Sequence, residues 1–521
     1  MVKHFIIAFV VFSYFFVGVP VFANNTPIPG PHEFLDPDSS TGVTDKPVKV
    51  YILSGQSNMV GFGQISPLGT AGTLETITKT DGLFPHLIDG SGNWTVRQDV
   101  MYRGVVTAIG NGYLTPGVMG GDIGPEMGFG QVMGYYHDEP VIVLKSSQGN
   151  RSISWDFAPP STERFDYNGR TYAGYGDSPN DWQIGTTPSP IEWYAGRQYD
   201  ECFLDEADWS PMAATLGFDS ITNVTDVLDN FATEYPDYAA QGFEIAGFAW
   251  WQGHKDQGEP HASRYEQNMV NFIKDIRQYY ENRYPANIST HAPFVLATIA
   301  FDGWDLSGDG LTVAEGQLAV SDAAKHPEFE GIVKTIEARG FWRDSSISPE
   351  IEGYHYNRNA ETYMLAGDAL ARGLLEMEAA YDVRVGRDMV TWNGRSVDIQ
   401  ASVEASVSVQ SYYWEAFADD GVTVQISNDS IADPSITITK PTGEMTSVLV
   451  RVTVNDGVAP PVYDSMYIDV YDTACKASRL GLGISNKLDL SGNCIIDLAD
   501  LTEALAGWLI DGTLSGPVEK Y

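Results

Sequence analysis

The sequence predicts an α/β protein whose parallel sheet is covered on both faces, followed by a small β-sandwich and a short helical tail. Over residues 46–381, short continuous apolar runs alternate with helical patterns, which is typical of a parallel sheet between two helical layers. Residues 382–473 carry short strands of alternating Val, Ile, Thr and Tyr between turn residues, as in immunoglobulin-like sandwiches. Residues 474–521 contain one amphipathic helical pattern.

The first 23 residues have the pattern of a secretory signal peptide. Lys3 and His4 give a basic start, residues 5–19 are almost wholly apolar, and small residues end at Ala23, where cleavage is expected. An uncleaved anchor is the alternative. Residues 24–45, rich in Pro, Asn, Asp and Thr, predict a flexible lead-in. We therefore expect a secreted protein, extracellular or periplasmic, with no membrane segment after signal cleavage.

The elements of the α/β region are predicted in chain order from the period of the apolar residues. Continuous runs of about six apolar residues indicate buried strands, and recurrence every three or four residues indicates helices. No element is predicted in the Gly-rich stretch that ends near Gly121. The predicted strands are 48–53, 140–145, 243–251, 294–300 and 332–336, and the predicted helices are 123–136, 221–235, 264–284, 313–324 and 359–381.

The composition excludes several classes of partner. The chain has 31 Lys and Arg against 69 Asp and Glu, a net charge of −38, which disfavours nucleic acid, anionic membranes and polyanionic substrates. We expect a neutral or weakly charged substrate. Three cysteines are too few for a disulfide framework. Cys475 and Cys494 are close enough in sequence to form one bridge, leaving Cys202 unpaired, but the sequence does not fix the pairing.

Ser57 is the candidate nucleophile. It follows the first predicted strand in the turn Ser54-Gly55-Gln56-Ser57-Asn58. Open α/β sheets bind their ligands at the carboxyl ends of strands, so the hydroxyl is expected at the site. An ordinary helix cap is the alternative interpretation of Ser57. Other polar clusters follow the strands that end near Lys145 and Trp251, and this regularity favours a site.

A serine nucleophile needs a base, a group that orients the base, and donors for the oxyanion. His355 precedes the last predicted helix, and Glu352 stands three residues before it. This spacing allows one loop to present an imidazole to Ser57 and a carboxylate to the other ring nitrogen. The predicted oxyanion donors are the N–H groups of Ser57 and Gly149 and the side-chain amide of Gln252.

Five motifs carry a family resemblance: GQSN at Ser57, IGPEMGFG at 123–130, SSQGN at Gly149, WWQGHKD at 250–256 and HYNRNAETY at 355–363. With them, residues 46–380 resemble the SGNH-hydrolase superfamily. Within it, they are similar to the sialate O-acetylesterase-like domain and to family-6 carbohydrate esterases, which include acetyl xylan esterases. The G-x-S-x-G elbow of α/β-hydrolases is absent, because Met59 occupies its last Gly position.

The resemblance implies a flavodoxin-like three-layer fold and removal of acetyl groups from sugar hydroxyls without a metal or other cofactor. It makes Ser57 the nucleophile and His355 the base. The superfamily usually has Asp where Glu352 stands here. The orienting carboxylate is therefore Glu352, Glu350 or Asp344, or it is missing.

Substrate contacts are predicted from the strand ends and from an aromatic segment. Residues 151–209 are rich in Trp and Tyr without a clear period, which indicates either a rim that stacks against sugar rings or the packing of a long insertion. The resemblance implies that His254 and Asp256 shape the site. The predicted substrate-binding residues are Asn58, Asn150, Arg151, Trp155, His254 and Asp256.

The tail contains a candidate calcium loop. Oxygen-bearing side chains stand at loop positions one, three, five, nine and twelve, the spacing that a calcium loop requires; they are Asp489, Ser491, Asn493, Asp497 and Asp500. An Asp-capped helix is the alternative, because Cys494 replaces the usual Gly and the last ligand is not Glu. The segment resembles a single dockerin-type repeat, which implies a structural Ca²⁺ and a cell-surface or cohesin-like anchor. A complete dockerin has two repeats.

These observations support one leading hypothesis, a secreted carbohydrate O-acetylesterase. Its substrate would be acetylated xylan, a related polysaccharide or a sialic acid, attacked by a Ser–His acyl-enzyme mechanism. The alternative is a non-catalytic carbohydrate-binding surface protein on an esterase scaffold. A lipase or peptidase ranks third, and no extended apolar lid is predicted. The β-sandwich has no catalytic pattern and is interpreted as a spacer or binding module.

Overall fold

The structure, a computed structural model, describes most of the two central regions of the chain. The described residues are 29–34, 41–43, 46–204, 222–289, 291–377, 383–385, 389–403, 408–419, 421–443, 445–456 and 462–478. The predicted signal peptide, most of the lead-in and the candidate calcium loop lie outside them. The chain divides into two compact units, Met1–Ile288 with Ala292–Glu378 and Ser289–His291 with Ala379–Tyr521.

The first unit is a mixed α/β domain. Its strands are β1 (Val48–Gly55), β2 (Gly63–Gln64), β3 (Arg97–Val106), β4 (Asn111–Leu114), β5 (Asp122–Ile123), β6 (Val141–Ser147), β7 (Phe165–Tyr167), β8 (Arg170–Tyr172), β9 (Asp181–Gln183), β10 (Phe243–Trp251), β11 (Phe294–Ala297) and β12 (Val333–Ile336). Its helices are α1 (Ser57–Val60), α2 (Leu74–Lys79), α3 (Glu126–Tyr136), α4 (Arg197–Phe203), α5 (Val224–Asp229), α6 (Phe231–Glu234), α7 (Tyr265–Arg283), α8 (Gly308–Val320) and α9 (Ala360–Leu375).

Seven strands form the main sheet in the order β12-β11-β10-β1-β6-β3-β4. All neighbours are parallel except β4, which runs antiparallel to β3. Without β3 and β4, the order is the 2-1-3-4-5 order of flavodoxin-like sheets. The chain reverses direction across the sheet at β1, because β6 pairs on one side of it and β10 on the other. Ligands bind at such a switch point.

The central strands are buried on both faces, as predicted. Every residue of β6 is buried, as are seven of the eight residues of β1. Successive side chains of a strand point to opposite faces, so both faces of the sheet are covered. The continuous apolar runs in the sequence follow from this double burial.

Two parts of the sheet region differ from the sequence-based prediction. The Gly-rich stretch contains β3 and β4. The first three residues of β3 are polar, and Arg103 and Gly104 separate its two short apolar groups, so it has no continuous apolar run; β4 has only two apolar residues. The helix predicted at 221–235 is broken into α5 and α6. The break lies at Asn230, whose φ of −101° and ψ of 20° are not helical.

The second unit has a β-sandwich-like arrangement. Its elements are β13 (Val383–Arg384), β14 (Met389–Trp392), β15 (Ser396–Asp398), β16 (Ser402–Val403), β17 (Ser411–Phe417), β18 (Thr423–Ile426), β19 (Ser435–Thr439), β20 (Thr446–Asn455), β21 (Val462–Tyr471) and α10 (Ala474–Lys476). A four-stranded sheet, β14-β21-β20-β17, and a three-stranded sheet, β15-β19-β18, carry most of them. Val, Ile and Met side chains pack around the buried Trp414.

None of the helices in the described residues has the length and apolar character needed to span a bilayer. Cys202 is free and buried, and Cys475 is disulfide-bonded. Cys494, its predicted partner, lies outside the described residues.

Candidate active site

Ser57 lies at the carboxyl end of the central strand β1. The chain turns away from the sheet at Gly55, the last residue of β1, which has a φ of +152°. A β-carbon there would lie 2.2 Å from the carbonyl oxygen of Trp251. Only glycine fits such a close approach. Ser57 then begins α1 with 9% of its surface exposed. Among the described residues, no acceptor bonds the Ser57 backbone N–H, so this donor is available to a ligand.

The loop after β6 brings Gly149 beside Ser57. A β-carbon on Gly149 would lie 3.8 Å from Cβ of Ser57, with no other heavy atom of a non-neighbouring residue within 4 Å. The Gly149 N–H also donates no hydrogen bond within the described part of the chain. Asn150 follows it, exposed and with a φ of +57°. Two of the predicted oxyanion donors are thus free of protein acceptors within the described residues, and Gly149 lies beside the Ser57 side chain.

Gln252, the third predicted oxyanion donor, is used inside the protein. Its side chain is 1% exposed. Its Nε2 atom lies 2.6 Å from Oδ2 of Asp256, 2.9 Å from the carbonyl oxygen of Arg151 and 3.2 Å from Oε1 of Gln56. An amide nitrogen has two hydrogens, so no donor is left for a substrate. Gln252 ties together the loops that follow β1, β6 and β10.

Asp256 was predicted to bind substrate, but it is fully buried. Its carboxylate accepts hydrogen bonds from the backbone N–H groups of Ile153 at 2.9 Å and Ser154 at 3.0 Å, besides the bond from Gln252. A buried carboxylate with three donors is satisfied. Asp256 therefore holds the loop that carries Gly149 and cannot touch a substrate in this structure.

His355, the predicted base, lies against Phe62. The ring centroids are 3.8 Å apart and the planes are inclined by 10°. Burial lowers the pKa of His355 below its ordinary value of 6.5; the Glu352 carboxylate opposes this shift, whereas His254 and Arg358 add to it. The imidazole is therefore neutral at pH 7 and able to accept a proton.

Glu352, the predicted orienting carboxylate, faces His355. Its Oε1 atom is 3.2 Å from Nδ1 of the imidazole. Nδ1 makes no hydrogen bond of regular geometry, however, so the pair is close but poorly aligned. The other two candidates, Glu350 and Asp344, make no ion pair with the ring among the described residues.

Asn58 fixes the position of the His355 loop relative to α1. Its Nδ2 donates to the carbonyl oxygen of Tyr354 at 3.1 Å, and its Oδ1 accepts from the Tyr363 hydroxyl at 2.9 Å. The Tyr363 hydroxyl is also 3.2 Å from the carbonyl oxygen of His355. Asn58 is 3% exposed, so the predicted substrate contact is replaced by a structural link. Within the described residues, no hydrogen bond joins the Ser57 hydroxyl to the His355 ring.

The backbone after His355 is strained. Tyr356, Asn357 and Arg358 have φ values of 50°, 53° and 57°, and a left-handed residue other than Gly, Asn or Asp costs about 1–2 kcal/mol. The buried Tyr356 ring stacks on Trp251 at 5.0 Å, and Arg358 pairs with Asp122 at 2.7 Å. Strain of this kind persists where the surroundings over-determine it. The loop is thus held in one conformation beside α1.

The remaining predicted substrate-binding residues divide into two groups. Arg151 and Trp155 are engaged in the insertion: Nε of Arg151 bonds Gln198 at 3.0 Å, and Trp155 packs with Trp182 on a small alanine cluster. His254 is half-buried near Tyr354, at 5.8 Å between ring centroids. Burial and, less strongly, Lys255 lower its pKa. Asn150 is exposed, and the His254 ring makes no hydrogen bond or ion pair within the described residues, so these two predicted contacts remain available to a substrate.

A buried ion pair lies beneath α1 and was not predicted. Nζ of Lys145 is 2.6 Å from Oε2 of Glu126, and both side chains are 0% exposed. The same ammonium donates to the carbonyl oxygen of Val60, the last residue of α1, at 2.8 Å. Lys145 was predicted only as the end of an apolar strand. Its inward-facing charge supports the short helix that carries Ser57.

No group of three or more His, Cys, Asp or Glu side chains among the described residues is arranged to hold a metal ion. The five candidate calcium ligands of the tail lie outside those residues.

No family model matches the chain, and no curated protein matches it. Among solved structures, it is similar to a carbohydrate acetylesterase from Xanthomonas citri, with 13% identity, 80% of each chain covered and a TM-score of 0.33. It is similar to NanS, with 11% identity, 64% of this chain and 98% of that chain covered and a TM-score of 0.34. A PKD domain covers 18% of this chain with 91% of its own length, at 20% identity and a TM-score of 0.16. Similarities this distant carry no argument about the site.

Proposed function

We propose that the protein is a serine esterase that removes acetyl groups from carbohydrate hydroxyls. The observation that carries the proposal is the pair of free N–H groups, from Ser57 and Gly149, beside the Ser57 side chain. Donors placed in this way stabilise the oxyanion of acyl transfer. The His355 imidazole, neutral because burial lowers its pKa, supplies the base from the adjoining loop.

In the proposed reaction, the Ser57 hydroxyl oxygen attacks the acetyl carbonyl while Nε2 of His355 takes its proton. The two N–H groups bind the resulting oxyanion. The intermediate collapses, the sugar oxygen leaves with the proton from His355, and an acetyl group stays on Ser57. Water, deprotonated by the same imidazole, then releases acetate. Glu352 orients the ring and stabilises its protonated form.

The proposed reaction requires a hydrogen bond between Ser57 and His355 that the structure does not contain among its described residues. Catalytic hydrogen bonds are often long or poorly aligned before substrate binds. Asn58 already holds the His355 loop against α1, and the proposal requires the Ser57 hydroxyl and Nε2 of His355 to come within hydrogen-bond distance when substrate binds.

The carbohydrate part of the proposal depends on the sequence motifs and on the charge. A net charge of −38 suits neutral glycans rather than anionic polymers. Export through the signal peptide, a structural Ca²⁺ in the tail and an anchoring partner for the tail belong to the same proposal, as does membership of the SGNH superfamily.

Acetate release tests the function. Wild type is incubated with acetylated xylan, other acetylated polysaccharides, O-acetylated sialic acids and p-nitrophenyl acetate, and Ser57→Ala is the control. We expect release from at least one carbohydrate and a loss of at least about 10³-fold in the variant. Equal turnover by a folded Ser57→Ala protein excludes the mechanism.

A non-catalytic carbohydrate-binding protein is the second candidate. The poorly aligned Glu352–His355 pair and the unbonded Ser57 hydroxyl favour it. Binding of acetylated xylan by folded wild type without acetate release, and without p-nitrophenyl acetate hydrolysis, decides for this alternative.

A further inference from the structure

Three aromatic side chains stand together at the edge of the sheet where the candidate site lies. Trp304 is 68% exposed, Tyr354 is 49% exposed, and Trp342 is half-buried. Trp304 follows β11 and Trp342 follows β12, both at the carboxyl ends of parallel strands, and Tyr354 directly precedes His355. We call these three side chains the aromatic surface. Large aromatic side chains that are exposed close together often mark an interaction site, whereas single exposed ones do not.

The aromatic surface begins at the predicted base. The Tyr354 ring lies 4.5 Å from the His355 ring, between centroids, in an edge-on contact. The half-buried His254 ring is 5.8 Å from the Tyr354 ring on another side. A molecule bound over Tyr354 is therefore next to the reacting groups.

Contacts through two glycines continue the surface from Tyr354 to Trp304. A β-carbon on Gly353 would lie 3.7 Å from the Trp342 ring, and one on Gly303 would lie 3.2 Å from Cβ of Trp342. Trp342 thus packs between the residues that precede Tyr354 and Trp304. The Arg339 guanidinium lies over one face of the Trp304 ring, 4.7 Å from its centroid, in a cation–π contact.

The chemistry around these rings suits a neutral glycan. Aromatic faces pack on the C–H faces of sugar rings, and carboxylates accept bonds from sugar hydroxyls. Asp302 and Asp305 are exposed on either side of Trp304, and Glu352 is next to Tyr354. These carboxylates, with the net charge of −38, repel polyanions.

We propose that the aromatic surface binds the chain of a neutral polysaccharide on one side of the acetylated sugar. This inference rests on the proposed function and narrows it: the substrate is a polymer rather than an acetylated monosaccharide. It also replaces the predicted stacking role of Trp155, which packs, half-buried, against the alanine cluster of the insertion.

The test compares Trp304→Ala with wild type on acetylated xylan and on p-nitrophenyl acetate. Trp392→Ala is the matched control, because Trp392 is an exposed tryptophan (38%) of the second unit. We expect kcat/KM on acetylated xylan to fall by about 5- to 20-fold in Trp304→Ala. Hydrolysis of p-nitrophenyl acetate should stay within about twofold, because it needs no polymer contact, and Trp392→Ala should match wild type on both.

Other outcomes separate this inference from the proposed function. Unchanged turnover of acetylated xylan by Trp304→Ala overturns the inference and leaves the esterase proposal intact. If wild type hydrolyses neither substrate, the esterase proposal fails, and retardation in a gel containing xylan becomes the readout. Retardation that Trp304→Ala loses and Trp392→Ala keeps supports the surface, and no retardation of wild type overturns it. A dimer in sedimentation that Trp304→Ala dissociates, with polymer turnover unchanged, also overturns it.

Discussion

The His355 ring lies flat on the Phe62 ring, with centroids 3.8 Å apart and planes inclined by 10°. Phe62 lies two residues after the end of α1, so the segment that carries the nucleophile also carries the ring that holds the base. The stack covers one face of the imidazole and contributes to the burial that lowers its pKa. Position and proton affinity of the base are thus set together.

Phe62→Leu should shift the acidic limb of the pH–rate profile upward. Without the flat ring, His355 is better solvated and its pKa rises toward 6.5. The base is then protonated, and activity lost, at a higher pH than in wild type. We expect kcat to fall by about 3- to 20-fold as well, because the ring is less well held. Profiles of kcat/KM and of kcat from pH 4.5 to 8 on p-nitrophenyl acetate measure the two effects. Phe165→Leu in the insertion is the control, and an unmoved limb contradicts the stated cause.

Glu352→Gln should move the same limb in the opposite direction. The carboxylate raises the pKa of His355, so its removal lowers that pKa further. The variant keeps a neutral base to a lower pH than wild type, yet its kcat falls by about 10- to 100-fold because the imidazolium loses its counter-charge. Glu350→Gln, at an exposed position, is the matched control. If Glu350→Gln loses the activity and Glu352→Gln does not, the orienting residue has been misassigned.

Gly149→Ala should separate activity from stability. The new methyl group makes an ordinary contact at 3.8 Å from Cβ of Ser57, so the free energy of unfolding should change by less than about 0.5 kcal/mol. The same methyl occupies space that the acetyl group needs, and kcat/KM should fall by about tenfold or more. Urea unfolding and p-nitrophenyl acetate kinetics check the two halves. Gly90→Ala, where a β-carbon meets nothing within 4 Å, should change neither.

The sequence predicted what depends on local pattern. The buried strand before Ser57 follows from residue types at short spacing, and β1 occupies that stretch. Gly149 lies beside Ser57 and Glu352 lies 3.2 Å from the His355 ring, while their roles in catalysis stay predictions. The sequence could not predict contacts made across the fold. Gln252 looked like a free donor because nothing in WWQGHKD indicates that its amide reaches Gln56 and Asp256.

Two other differences between the sequence-based prediction and the structure have the same origin. Asn58 was expected to face a substrate, but its partners Tyr354 and Tyr363 lie some 300 residues later. Strand β3 was overlooked because charged residues interrupt its apolar pairs. In the structure, Arg97 is buried by pairing with Asp99 at 2.6 Å, and such pairing cannot be told from exposure in the sequence.

Lys145→Met should destabilise the domain. The substitution leaves the Glu126 carboxylate buried without its partner at 2.6 Å, and loss of one member of a buried pair costs about 3–5 kcal/mol. Denaturant unfolding measures this cost. Adding Glu126→Gln removes the unpaired carboxylate, and the double variant should regain at least about 1 kcal/mol of unfolding free energy relative to Lys145→Met. A single variant that costs less than about 1 kcal/mol contradicts the assigned role of the pair.

The central claim, that His355 activates Ser57, is tested most directly by the rate of covalent labelling with a fluorophosphonate. The serine oxygen displaces fluoride from phosphorus, and the mass of the adduct maps to one peptide. We predict labelling of wild type at Ser57 and a rate at least about 100-fold slower in folded His355→Ala. An adduct that is absent from Ser57, or that forms equally fast in both proteins, would contradict the account.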